Sequence, residues 1–129
     1  MFIRFMSGEI DEDSRVSAGI FCAAFDLLDE RVLGDDDFAA LADLMAWFRE
    51  HLNRPFNYRL KSGWRSARAV CWFKSSAHEH LAQAWKMAKI LERNDVFIWV
   101  IKAARPGYVL YEDDAQILAE PFAEIRRVL

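Results

Sequence analysis

The tightest limit on how this chain folds lies in residues 108–119, Tyr-Val-Leu-Tyr-Glu-Asp-Asp-Ala-Gln-Ile-Leu-Ala. Two short runs rich in aromatic and aliphatic residues flank a polar tip, Glu112-Asp-Asp-Ala115, where aspartate readily hydrogen-bonds the backbone of a turn. The stretch predicts a β-hairpin with strands over residues 108–111 and 116–119. A hairpin commits its surroundings to antiparallel pairing, because parallel strands need a crossover of a dozen residues or more. Just upstream, residues 96–101 (Val-Phe-Ile-Trp-Val-Ile) are apolar at every position, which predicts an interior strand covered on both faces. Arg105-Pro106-Gly107 reads as the turn between them, and the hairpin is expected to complete the sheet beside residues 96–101.

The rest of the chain alternates between the strand and helix periods. Residues 2–6 (Phe-Ile-Arg-Phe-Met) read as a first strand, ended by Ser7-Gly8. Val16, Ile20, Ala23, Ala24, Leu27 and Leu28 recur at helical spacing, with Ser14 or Ser17 as the N-cap. Phe21 and Phe25 widen that stripe past half the circumference, so this helix is expected to be buried on two sides or to touch another chain. After Gly34, Asp35-Asp36-Asp37 opens a second helix whose apolar face is Phe38, Leu41, Leu44, Met45, Phe48 and Leu52. Residues 53–67 carry neither period and hold Pro55 and Gly63, which predicts a long loop of the kind that often carries function. Residues 70–74 (Val-Cys-Trp-Phe-Lys) read as a strand. Ser76 and Glu79 have the spacing of a capping box at the start of a third helix through Ala84, Trp85, Ala88 and Leu91. Pro121 stops the last strand, and residues 122–129 are expected to form a terminal helical turn. The fold class that follows is α+β: one domain over residues 1–129 in the order β-α-α-β-α-β-β-β, with a mainly antiparallel sheet and three helices on one face.

With 129 residues, of which 53% are hydrophobic and 29% charged, the chain is long and apolar enough to bury its own core. Five Trp, three Tyr and ten Phe exceed what a small core strictly needs; filling the core is the first expectation for them, and a place at a partner or self-association surface the second. Cys22 and Cys71 both stand in apolar runs and read as buried free thiols of a reducing compartment. The opening Met-Phe-Ile-Arg-Phe-Met-Ser-Gly lacks a basic leader ahead of a long apolar stretch, and no apolar run approaches a membrane span. A cytoplasmic protein without a membrane segment is expected.

Charge is distributed unevenly. Residues 1–48 hold three Lys/Arg against eleven Asp/Glu, residues 49–105 hold twelve against four, and residues 106–129 hold two against five. The basic excess is densest in the loop 54–68, where Arg54, Arg59, Lys61, Arg65 and Arg68 interleave with Phe56, Tyr58 and Trp64. Cations neutralise phosphates and aromatics stack on bases, so Arg54, Arg59, Lys61, Trp64, Arg65 and Arg68 are the candidate residues for an anion or a partner. Against nucleic acid stand the net charge of −3 and the pI of about 5.6; the same cations can instead pair with the acidic half of their own fold, or recognise another protein.

Catalytic constellations are thin. His78-Glu79-His80 suggests a metal, but histidines two apart diverge by about 200° around a helix. Cys71 and His78 invite a nucleophile pair, yet a thiol in an apolar strand is inert rather than activated. Asp35-Asp36-Asp37 and the hairpin acids are explained by helix and turn chemistry. No metal or cofactor is implied. The chain therefore reads first as a non-enzymatic protein-binding module, a small adaptor, inhibitor or immunity-type protein with a protein partner or a second copy of itself. Polyanion binding through the loop 54–68 is the alternative, and an enzyme built on Cys71, His78 and the hairpin acids is a third reading.

Overall fold

The computed structural model describes residues 1–10, 17–53 and 69–122. Its elements run β1 (Phe2–Ile10), β2 (Ser17–Gly19), α1 (Ile20–Glu30), α2 (Asp35–His51), β3 (Val70–Lys74), α3 (His78–Arg93), β4 (Ile98–Ala103), β5 (Tyr108–Glu112) and β6 (Gln116–Glu120). The expected order is present, with the three-residue β2 added to it. All strand pairings are antiparallel.

Register fixes the layout of the sheet. β4 pairs with β1 continuously from Phe2↔Ala103 to Ser7↔Ile98. β3 pairs with the beginning of β1 (Phe2↔Lys74, Ile3↔Phe73) and β2 with its later part (Met6↔Gly19, Ile10↔Ser17). A strand has two edges, so β2 and β3 share one and β4 takes the other. Since β6 then joins β3 and β5 joins β6, the sheet reads β4-β1-β3-β6-β5, with β4 and β5 outermost. This corrects two expectations. Residues 96–101 are not an interior strand, and the hairpin does not lie beside them; it extends the opposite edge, through β3.

The chain passes from one edge of the sheet to the other in four residues, Ala104 to Gly107. Extended, that link reaches about 17 Å, whereas five flat strands span about 19 Å between their outer members. The sheet must therefore curl. On one side, helix-free among the described residues, Phe2, Ile101 and Ala103 pack against Val70, Trp72, Ile117 and Ala119, a second small core. On the other side the three helices cover Phe5, Phe73, Ile98 and Ala115. β3 serves both, since Trp72 and its neighbour Phe73 point to opposite faces and are 1% and 2% exposed.

The helices bury most of the stripes their spacing dictates: Ile20, Ala24 and Leu27 in α1, Leu41, Leu44, Met45 and Phe48 in α2, and Ala84, Met87, Ala88 and Leu91 in α3, whereas Phe38 and Trp85, expected on the same faces, are 40% and 47% exposed. Phe48 is fully buried, with the rings of Phe21, Trp47 and Phe73 at centroid distances of 4.8, 5.0 and 6.0 Å. The helix starts differ from expectation. Residues 17–19 pair with β1, so α1 begins only at Ile20, behind Gly19, and no serine caps it. The Ser76–Glu79 box does not form: Ala77 is the N-cap, both polar side chains are exposed, and the first turn closes through Leu81 N–H to Ala77 C=O. The wide stripe of α1 is half used, since Phe21 meets Phe48 while Phe25 is 61% exposed. Cys22 is likewise exposed rather than buried, and neither Cys22 nor Cys71 forms a disulfide. No helix among the described residues is long and apolar enough to cross a membrane.

Candidate functional site

The loop candidates Arg54, Arg59, Lys61, Trp64, Arg65 and Arg68 lie outside the described residues, as do Phe56 and Tyr58. So does most of the terminal turn expected over residues 122–129. The loop's entrance is described, and it meets the hairpin tip in a polar network. Asp113 Oδ1 accepts the backbone N–H groups of Ala115 (2.9 Å) and Gln116 (3.0 Å), and Oδ2 accepts the Tyr111 hydroxyl (2.9 Å) and Gln116 Nε2 (3.1 Å). Gln116 Nε2 also donates to the Asn53 carbonyl at 2.6 Å, and Asn53 Nδ2 donates to the Tyr111 oxygen at 3.1 Å. Cys71 Sγ donates to Gln116 Oε1 at 3.1 Å.

The electrostatics of this network are those of a fastener. Burial raises the pKa of Asp113, but the hydrogen bonds from Ala115, Gln116 and Tyr111 outweigh it and leave the carboxyl below its ordinary value. The Tyr111 phenol is pulled down by Asn53 and pushed up further by the Asp113 carboxylate and by burial, for a net rise. A carboxylate saturated with donors is a poor base, and a thiol donating its proton to a buried amide oxygen is a poor nucleophile. Cys71 and His78 make no pair, since His78 lies exposed on the first turn of α3. Gln116, 1% exposed, is the residue that sequence reasoning missed. Its signal was a polar residue at an inward strand position, three after an aspartate able to close a turn.

The histidines diverge as their spacing requires. His80 packs among Trp47, Phe48 and Phe73, and its Nε2–H donates to the His51 carbonyl at 2.8 Å. His51 stacks on Trp47 at 4.4 Å, and its Nδ1–H donates to the Trp47 carbonyl at 2.8 Å. Of the three aspartates opening α2, Asp37 accepts Arg93 Nη2 (2.7 Å) and Asn94 Nδ2 (3.0 Å), which hold its carboxyl below the usual range. Among the described residues no group of three or more His, Cys, Asp or Glu is placed to hold a metal ion. Arg4, 3% exposed in β1, has its pKa lowered to about 10 by burial and remains cationic at neutral pH.

Apolar side chains are left exposed at both outer strands, Tyr108 and Val109 on β5 and an aromatic pair at β4. Phe97 is 61% and Trp99 53% exposed, their rings in edge contact at 5.0 Å. β4 pairs only with β1 among the described residues, so its other row of main-chain groups is open. A groove of about 250 Å³ runs beside this pair between β4, the end of β1 and α1, with Asp26, Glu30 and Asp95 on its rim. A second groove of about 520 Å³ lies between α2 and α3, where Lys86 and Lys89 accompany Trp47. Compared with known proteins, the chain matches no family model, no curated protein and no solved structure.

Proposed function

We propose that this chain is a non-enzymatic protein-binding module that acts by surface contact, and that its contact surface is the open edge of β4 with Phe97 and Trp99. One observation carries the reading: an edge strand with unpaired main-chain groups also bears two large aromatics more than half exposed. Either feature alone is a liability for a protein that stays by itself, and together they supply main-chain hydrogen bonds and side-chain anchors for an added strand. Asp113, Gln116 and Cys71 are engaged in closing the hairpin, and Asp37 in anchoring α2. A cytoplasmic setting suits the module, because the exposed Cys22 thiol persists unpaired only where thiols stay reduced.

The test is retention of protein partners on immobilised wild-type chain and on Trp99→Lys. Partners lost on the variant while its fold is intact support the reading, and equal retention refutes it. A second reading, polyanion binding, is favoured by Lys86 and Lys89 flanking Trp47 in the α2–α3 groove, which adds cations to those of the loop 54–68. Binding of a labelled oligonucleotide that weakens steeply with salt and is lost on Lys86→Glu/Lys89→Glu would favour it; salt-independent or absent binding would remove it.

A further inference from the structure

We infer that the strand added to the β4 edge is β4 of a second copy, giving an antiparallel homodimer with one continuous sheet. The inference rests on the reading of that edge as the contact surface and names its occupant.

The argument begins with charge. Asp95 precedes β4, Lys102 lies near its end and Arg105 follows it; all three are exposed, and none has an ion-pair partner among the described residues. A strand acidic at its start and basic at its end is complementary to itself only when reversed. Antiparallel self-pairing places each copy's acidic end against the other's basic end, whereas parallel pairing sets like against like.

Symmetry then restricts the register. Two antiparallel edge strands related by a two-fold axis keep the same sheet face on the same side, so residues of like parity stand opposite one another. Centring the axis on Val100 turns the end of the strand that follows Asp95 toward the partner's Lys102 and the start of its link at Arg105. The same register sets Trp99 beside the partner's Ile101 and Phe97 beside the partner's Ala103. Ile101 and Ala103 are the outer members of the small core on the helix-free side. Self-pairing therefore lays the exposed aromatics of each copy along the other's second core and joins the two cores across the interface. The same displacement satisfies the charges, the aromatics and the open main chain.

Sedimentation equilibrium over a concentration series tests this, with the chain mass of 15.0 kDa as the reference. The expected result is a concentration-dependent approach to twice that mass. Trp99→Lys shifts the equilibrium toward monomer by about tenfold or more. Arg105→Asp, which puts acid at both ends of the strand, also weakens association. Adding Asp95→Asn to Arg105→Asp recovers part of the loss; asparagine retains the left-handed conformation that Asp95 adopts (φ 66°). Tyr108→Lys, on the opposite edge of the sheet, leaves the dimer unchanged. A monomer at every soluble concentration overturns the inference, as does a dimer indifferent to Trp99→Lys and Arg105→Asp. If the chain is monomeric yet Trp99→Lys still loses a different protein partner, the contact surface stands and only its occupant was wrong. If neither self-association nor any partner depends on Trp99, both readings fall.

Discussion

Replacing Asp113 by alanine or by asparagine separates the two jobs its carboxylate performs, and each has a size that the geometry sets. Oδ1 holds the backbone N–H groups of Ala115 and Gln116, residues 9% and 1% exposed, and Oδ2 holds the Tyr111 hydroxyl and Gln116 Nε2. Alanine leaves two buried N–H groups without an acceptor, at the lower end of about 1–3 kcal/mol each because the turn is near solvent. The expected cost is about 2 kcal/mol, or roughly an 8 °C fall in melting temperature for a domain of this size. Asparagine keeps an oxygen for the two backbone groups but turns an amide N–H₂ toward Gln116 Nε2, donor against donor, for about 1 kcal/mol. The penalties must also depend on pH. The folded-state pKa of Asp113 lies below its unfolded value, so its charge contributes fully above the unfolded value near about 4 and is lost as pH falls through the folded one. Urea titrations from pH 7 downward should therefore show the wild-type advantage over Asp113→Asn shrinking through the acid range. An advantage that stays constant with pH, or an alanine variant within about 1 kcal/mol of wild type, would refute the assignment of Asp113 as the residue that closes the hairpin.

Other perturbations probe the rest of the frame. Phe48→Ala, which empties the centre of the Phe21–Phe48–Phe73 cluster, should cost about 3–5 kcal/mol in a denaturant titration. Gly107→Ala should be poorly tolerated for a different reason: a Cβ there would overlap the Glu120 carbonyl, so the β5–β6 edge has to shift, lowering the unfolding free energy in a denaturant titration by about 1–3 kcal/mol. Thiol labelling of the native chain should modify the exposed Cys22 quickly and Cys71 slowly, with Gln116→Ala speeding the second reaction by freeing the thiol proton.

What the sequence shows and what it hides divide along the range of the interactions involved. The periods of α2, α3, β3 and the hairpin are properties of a few adjacent residues, and all four appear where the spacing places them. The capping box at Ser76 and Glu79 is equally local, yet backbone bonds and solvent satisfy the same groups at little cost, so the side chains are not needed. Strand order belongs to the other kind. Residues 96–101 carry apolar side chains on both faces whether they lie inside a sheet or at an edge awaiting another strand, and composition does not distinguish the two. Phe25 shows the same ambiguity on α1, which packs against α2, α3 and the sheet and still leaves this end of its apolar stripe in solvent. The basic-aromatic loop 54–68, the most conspicuous charge feature of the sequence, falls outside the described residues, and Asn53 at its entrance is held against the hairpin tip.

The four-residue link between β4 and β5 ties these points together. Because it is short, the two outermost strands cannot lie in one flat sheet, and the curl it imposes creates the second core on the helix-free side. That core ends at Ile101 and Ala103, halfway along β4, while Phe97 and Trp99 continue the same face beyond it into solvent. A link several residues longer would let the sheet flatten and remove the reason for the second core. Lengthening it by inserting glycines after Arg105 should therefore weaken the Val70–Trp72–Ile117–Ala119 cluster without touching the helices. Amide exchange would read this as faster opening of β6 at unchanged protection of α2 and α3. Equal protection throughout would mean that the curl is held by the strands themselves, and the exposed face of β4 would then owe nothing to the shortness of the link.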